Sequence, residues 1–314
     1  MSENKSCIAK KTSIGGQALI EGIMMRGPKK SAMAVRNPQG EIVLEKWDNE
    51  PENKKKTIID DLKKTPIIRG VFNFASAMIS GYKSLMKSAE IAGFEDDGEK
   101  QDNKGLMAIV GVVAMILGVL LSVGLFILLP TLIYDLIAMV VPFLSGNRVL
   151  KSVFEGILKI VILVGYMAAV SQMKEIKRTF QYHGAEHKTI FCYEAGLELT
   201  VENVRKQGRF HPRCGTSFLI VMLLVSIFIG MVIPPELPTI IRTLIKVLLL
   251  PITMGIGYEF IKFAGKHENA LTKILSAPGL WMQRITVLEP DDSMIECAIA
   301  AVNEVIPEDG SDMI

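Results

Sequence analysis

The stretch Leu106–Leu129, LMAIVGVVAMILGVLLSVGLFILL, runs for 24 consecutive residues without a charge. As a helix at roughly 1.5 Å per residue it reaches about 36 Å, more than the roughly 30 Å of a bilayer's hydrocarbon core. That makes it the first predicted membrane span and sets the fold class. The whole chain agrees: 49% of its 314 residues are hydrophobic, 22% are charged, and its mean hydropathy is +0.34. A soluble domain of this length needs less apolar surface.

Working outward, Gly215–Pro235 is a second uncharged run, centred on Phe218–Ile233 and ended by Pro234-Pro235. Two more segments are weaker. Val153–Met173 contains Glu155 and Lys159, which an i,i+4 pairing within the helix would neutralise. Ile240–Phe263 contains Arg242, Lys246, Pro251 and Glu259, which predicts a kink and ionisable groups turned toward protein. The reading is therefore a mainly α-helical integral membrane protein with about four spans, near 106–129, 153–173, 217–233 and 240–263. Thr131–Leu144, bracketed by Pro130 and Pro142, is too short to cross and reads as re-entrant or interfacial. Were it a fifth span, the sidedness of everything after it would reverse.

Positive charge orients the chain. Ser171–Thr216 carries Lys174, Lys177, Arg178, Lys188, Arg205, Lys206, Arg209 and Arg213, whereas the turn Pro234–Thr239 has no Lys or Arg. The positive-inside tendency then predicts a multi-pass plasma-membrane protein with both termini and the 174–216 loop in the cytoplasm. No secretory signal peptide is predicted. Cys7, Cys192, Cys214 and Cys297 are scattered, so in a reducing compartment they are expected as free thiols. A net charge of +2 without a basic, aromatic-interleaved stripe argues against nucleic acid as a partner, leaving the bilayer as the predicted one. There is no internal repeat, and the pattern specifies no oligomeric state.

The polar regions divide the chain further. Residues 1–104 form a predicted cytoplasmic region, 105–263 the membrane region, and 264–314 a C-terminal cytoplasmic segment. In the first, Gly15–Pro28 is glycine-rich and predicts tight turns rather than a phosphate loop, since no Lys-Ser/Thr pair follows at the required spacing. Ser31–Arg36 and Glu41–Trp47 flank the turn Asn37-Pro38-Gln39-Gly40 as a hairpin. Thr65-Pro66 reads as a helix start, with an amphipathic helix over Ile67–Ile91 lying along the membrane before the acidic linker Glu95–Asp102. At the other end, Trp281–Leu288 reads as a strand and Pro290–Ser293 starts a helix reaching about Val305. These pieces are expected to form one small α+β cytoplasmic subdomain, with the first 14 and last eight residues frayed. Glu21, Arg26, Arg69 and Asn73 sit among apolar neighbours, as pocket-lining groups or as surface pairs.

Chemistry concentrates in Tyr182-His183-Gly184-Ala185-Glu186-His187-Lys188 and His211-Pro212-Arg213-Cys214-Gly215, which hold three of the four histidines. On a helix, His183 and His187 share one face and can reach one ion, with Glu186 beside them. The order His-x-x-Glu-His is that of the inverzincins, where the glutamate serves as general base; Gly184, a poor helix former, counts against the geometry. His211 and Cys214 add imidazole and thiolate donors, so zinc, or another divalent transition metal, is the expected cofactor. Three protein ligands among His183, His187, His211 and Cys214 predict a hydrolytic centre with Glu186 as base; all four predict a closed, structural site. A third reading leaves the histidines as hydrogen-bonding groups at a lipid interface. Cys192 reads as a core residue and His267 as solvated.

The chain also resembles a known family at these residues. Gly15–Gly27, Tyr182–Lys188, His211–Ser217 and Ala277–Trp281 are similar to motifs of the YqhQ-like bacterial membrane proteins, a family of unknown function, and the likeness runs from about Ser13 to Val302. The resemblance implies a metal-dependent enzyme without naming its reaction. The functional expectation is a zinc-dependent hydrolase acting on a membrane protein, peptide or lipid-linked substrate. The alternative is a membrane scaffold, assembly or transport component with a structural zinc, in which Glu155, Lys159, Arg242, Lys246 and Glu259 carry the interest.

Overall fold

The computed structural model describes residues 11–49, 65–94, 104–144, 146–266 and 270–313. Cys7, the linker Glu95–Asp102 and His267 lie outside them. The N-terminal part is a four-stranded antiparallel meander, β1 (Gly15–Leu19), β2 (Gly22–Arg26), β3 (Lys30–Arg36) and β4 (Ile42–Asp48), in that spatial order. The predicted hairpin is present as β3 and β4, with Arg36 opposite Ile42. Its turn closes through Gly40 N–H to the Asn37 carbonyl at 2.9 Å, and Gly40 takes φ 87°, a left-handed value that glycine accepts without strain.

The glycine-rich stretch holds the expected tight turn at Ile20-Glu21, where Glu21 takes φ 50°, and on either side of it forms strands β1 and β2, with Gly16 opposite Met25. Its glycines permit close approach, since a Cβ on Gly16 would lie 2.7 Å from the Met24 carbonyl oxygen. Alternation was hidden because the central strands are covered on both faces. Ile23, Met25, Ala32 and Ala34 join one apolar core, and Met24, Met33 and Val35 join another that packs against Leu85.

Leu85 belongs to α1 (Ile68–Ile91). This helix starts at Ile68 after Ile67 at φ 69°, so Thr65 is not its cap. The central helices follow as α2 (Lys104–Val123), a π-helical turn (Gly124–Leu128), α3 (Leu129–Val140), α4 (Arg148–Val170), α5 (Lys174–Glu194), α6 (Val201–Arg205), α7 (Gly215–Val232), α8 (Thr239–Leu248) and α9 (Leu250–Lys266).

Thr131–Leu144 is not a separate re-entrant segment. The π turn carries the helix through Pro130, and one apolar helix runs 30 residues from Gly111 to Val140. A π turn widens the backbone, so the missing proline N–H breaks no regular ladder. Pro142 then marks the end, because a residue before proline is driven out of the α region. Among the described residues two helices, Gly111–Val140 and Arg148–Val170, are long and apolar enough to cross a membrane, or three if the bent pair α8–α9 is one span, so the expected four are not shown. The apolar helix Phe218–Val232 falls short of the roughly 20 residues that spanning takes, and 240–263 is bent by 46° between Leu248 and Leu250.

The expected Glu155–Lys159 pairing is also replaced. Glu155 Oε2 instead accepts from Lys246 Nζ at 2.5 Å, a contact between distant helices that spacing within one helix cannot foresee. Arg69 pairs with Glu259, Asn73 donates to Tyr258 at 2.8 Å, and Glu21 pairs with Arg178, so three of the four isolated polar residues act in pairs; Arg26 lines a shallow cavity with Asn49.

The last elements are α10 (Ala270–Thr286) and α11 (Asp292–Asn303). The strand expected at Trp281–Leu288 is helix as far as Thr286, because Met282, Gln283 and Thr286 bury one helical face. The C-terminal helix is as predicted: Asp291 caps it by accepting from Met294 N–H at 3.0 Å. It packs on β2, β3 and α5, burying Met294, Cys297, Ala298 and Val302, and makes the expected α+β subdomain. The ends of the described chain are held rather than frayed. Thr12 bridges Met313, and its hydroxyl donates to Asp312 Oδ2 at 2.6 Å.

Candidate functional site

Helix α5 places His183 and His187 on one face, with ring centroids 4.5 Å apart. Gly184, unfavourable for a helix, is needed there. A Cβ would run into the Leu288 carbonyl oxygen, so glycine lets the chain after α10 lie directly on α5. That approach brings the Thr286 carbonyl to 2.9 Å from His183 Nδ1. On the other side the Arg209 carbonyl stands 2.5 Å from His187 Nδ1. A carbonyl only accepts, so both Nδ1 atoms carry a proton, and in a neutral ring so held Nε2 is the atom that presents a lone pair. Carbonyls that accept from the far ring nitrogen orient metal-ligating histidines in this way.

Cys214 completes the group. It caps α7, where Thr216 N–H and Oγ1–H approach its Sγ at 3.5 and 3.3 Å, and the sulfur lies 3.3 Å from His183 Nε2. Ligand atoms of His183, His187 and Cys214 all lie within 4.8 Å of one another, close enough for one ion to reach all three. Burial pushes the His187 imidazole below its ordinary value, against the hydrogen bond its protonated ring would donate to Cys214, and so favours the neutral form a metal requires.

His211 is buried but is not in that group. Its ring lies 5.5 Å from that of His187, and its Nε2 faces Glu194 Oε2 at 3.8 Å. Arg213 N–H donates to its Nδ1 at 3.3 Å. Glu194 also pairs with Arg213 and accepts from Thr12 N–H at 2.8 Å. Although burial opposes it, these hydrogen bonds hold the Glu194 carboxyl below its ordinary range. The His211 backbone is clamped by Gln283, which accepts from its N–H and donates to its carbonyl, both at 2.8 Å.

Glu186 faces β1. Its Oε1 accepts from Gly16 N–H at 3.0 Å, while Oε2 is buried without a hydrogen-bond partner among the described residues. Burial pushes its carboxyl above the ordinary range, against His183 and the Gly16 hydrogen bond. A cavity of about 560 Å³, inside the size range of small-molecule sites, is lined by Ile14 to Ala18 and by His183, Glu186, His187, His211 and Cys214. Of the four expected ligands the structure brings His183, His187 and Cys214 together and leaves His211 apart. The sequence pattern did not show the Gly16 strand, the Gln283 clamp or the two carbonyls, all brought in from remote segments. The only local hint was Gly184, a glycine where a helix disfavours one. Cys192 is a core residue, as expected, wholly buried.

Residues 65–308 match the family described as "Protein of unknown function (DUF1385)". The chain is 36% identical over 304 residues to "Uncharacterized protein YqhQ" of Bacillus subtilis (strain 168), an alignment covering 93% of this chain and 92% of that protein. No solved structure matches. With most of its length aligned to both, the chain belongs to the DUF1385 family of proteins of unknown function, as its YqhQ-like motifs imply.

Proposed function

We propose that this protein is a metal-dependent hydrolase of the plasma membrane, with its active centre on the cytoplasmic side and a membrane protein, peptide or lipid-linked molecule as substrate. In this reading His183, His187 and Cys214 hold zinc or another divalent transition metal. The observation that carries it is the convergence of two backbone-oriented Nε2 atoms and one sulfur on a single point beside Glu186. The donor set suits zinc, and it numbers three. His211 is engaged with Glu194 and Arg213, which leaves the fourth position for substrate or water. Bound zinc supplies Lewis acidity at that position.

The chain's own residues do the rest. Glu186, anchored through one oxygen by Gly16, keeps its second oxygen for the proton of the attacking water. The cavity between β1 and the histidine face admits the scissile group. Sidedness is supported by packing, since β1, α5 and α11 share one core and so share one side of a bilayer. The eight Lys and Arg residues of 171–216 support a cytoplasmic position for that side.

Elemental analysis of the purified chain tests the proposal first, with one metal per chain expected in the wild type and less than a tenth of that in His183→Ala. Absence of stoichiometric metal from the wild type overturns it. Glu186→Gln then separates catalysis from a structural zinc: loss of complementation of a deletion strain with metal retained supports the hydrolase, and full complementation leaves only the scaffold reading.

A further inference from the structure

Lys159 stands at the midpoint of α4, eleven residues from each end of a helix long enough to cross a membrane. Its side chain is buried, at 7% exposure, and no hydrogen bond or ion pair engages its ammonium among the described residues. It interacts through space with Lys246 and Glu155, and Glu155 is already engaged by Lys246. Lys246 also donates to Thr131 Oγ1 at 2.8 Å. Nearby, Lys151 pairs with Asp135, and Arg242, 1% exposed, donates to the Pro234 carbonyl at 2.7 Å. Three buried cations, Lys151, Lys159 and Arg242, and the part-buried Lys246 thus lie about two carboxylates, Asp135 and Glu155.

An uncompensated ammonium in the middle of a membrane helix is costly, and such residues mark binding sites or pathways. Here a cavity accompanies it. Lys159 and Lys246 line a space of about 320 Å³ whose walls are otherwise mainly hydrocarbon, including Phe126, Leu163, Met222 and Leu223. Apolar walls with a few placed polar groups are the usual make-up of a ligand site, and this volume lies at the small end of the range. We propose that the cavity binds a single-chain amphiphile with an anionic head, a carboxylate or a phosphate monoester, whose charge is met by Lys159 and Lys246 and whose tail lies along the apolar wall. The inference is independent of the metal reading, since it uses other residues and another cavity.

Isothermal titration of the full-length chain in neutral detergent tests it with three probes of equal tail length: tetradecanoate, tetradecyl phosphate and tetradecanol. The anionic probes are expected to bind at one per chain, at least tenfold tighter than the alcohol, and the tighter of the two identifies the head as carboxylate or phosphate. Lys159→Met should weaken the anionic probes at least tenfold without changing alcohol binding, and Ser226→Trp, which fills the cavity from its wall, should weaken all three. Lys246 is left intact because its removal would orphan Glu155. Equal binding of the alcohol, absence of saturable binding of both anions, or unchanged affinity in Lys159→Met overturns the proposal. The comparison of head groups uses the wild-type chain alone, so it decides the matter even if a variant fails to fold.

Discussion

The Gly16 N–H donates to Glu186 Oε1 at 3.0 Å, tying the first strand to the histidine helix across 170 residues of chain. A Cβ at Gly16 would stand 2.7 Å from the Met24 carbonyl oxygen and 3.0 Å from Glu186 Cδ. Gly16→Ala is therefore expected to shift β1 from Glu186 and to cost about 1–3 kcal/mol, the usual penalty for overpacking. The check is a thermal melt in detergent beside Gly15→Ala, where nothing lies within 4 Å of the added carbon. Equal melting temperatures for the two variants would remove the packing argument.

Gly184→Ala sets two effects against each other. Helix propensity alone predicts stabilisation by about 1 kcal/mol. The Leu288 carbonyl in the path of the new methyl predicts the reverse, with the Thr286 carbonyl displaced from His183. Packing should win. The variant is expected to melt lower and, with His183 as a proposed ligand, to bind zinc about 10–100-fold more weakly, the usual effect of removing the group that orients a ligating imidazole. A variant that gains stability and keeps its affinity would show that α5 and the segment after α10 are not in close contact.

Breaking one side of the Lys246–Glu155 pair should be worse than removing both. Lys246→Met leaves a buried carboxylate whose Oε1 already lacks a partner, and a loss of about 3–5 kcal/mol is expected. The double variant Glu155→Leu with Lys246→Met should recover most of that loss. Detergent unfolding of the two single variants and the double variant measures the coupling. Additive losses would show that the two side chains do not meet.

The cysteines should divide by environment. Burial pushes the Cys297 thiol up to about 11, and it pushes the Cys192 thiol up as well. Thiolate is the reactive form, so both should resist alkylation in the folded chain at pH 8 and react after denaturation. Cys214 lines the open cavity and should be labelled in the metal-free protein, with bound zinc protecting it. Peptide mass spectrometry reads each site. Rapid labelling of Cys297 in the native chain would contradict its burial.

The raised Cys297 value also sets a pH dependence with a definite sign. The folded state holds this proton from pH 9, where the free thiol releases it, up to about 11. Over that window the unfolded chain binds fewer protons, so stability falls as pH rises. Cys297→Ala should therefore show a shallower decline between pH 9 and 11 than the wild type, measured by unfolding at fixed detergent concentration.

Much of this protein was legible in its residues. The 24-residue uncharged run announced a membrane-type helix, the Asn37–Gly40 turn announced a hairpin, and Asp291 announced a helix start, because each is a local signal carried by neighbouring side chains. The His183–His187 spacing was equally local, since the helical period alone puts the two rings on one face. Strands β1 and β2 were missed because covering a sheet on both faces erases alternation. The kink expected in 240–263 is present as a 46° bend, and with that bent pair taken as one span three of the expected spans are long and apolar enough among the described residues.

Residue order alone marked the long apolar helices, the cluster of histidines and cysteine, and the family to which the chain belongs. Which of those side chains meet was set by packing. Cys214 stands beside His183 while His211 turns to Glu194, and Glu155 passes over Lys159 four residues away for Lys246 on another helix. The physical reason is common to both cases. A buried polar group is satisfied by whatever partner packing brings within about 3 Å, and packing joins segments without regard to their distance along the chain.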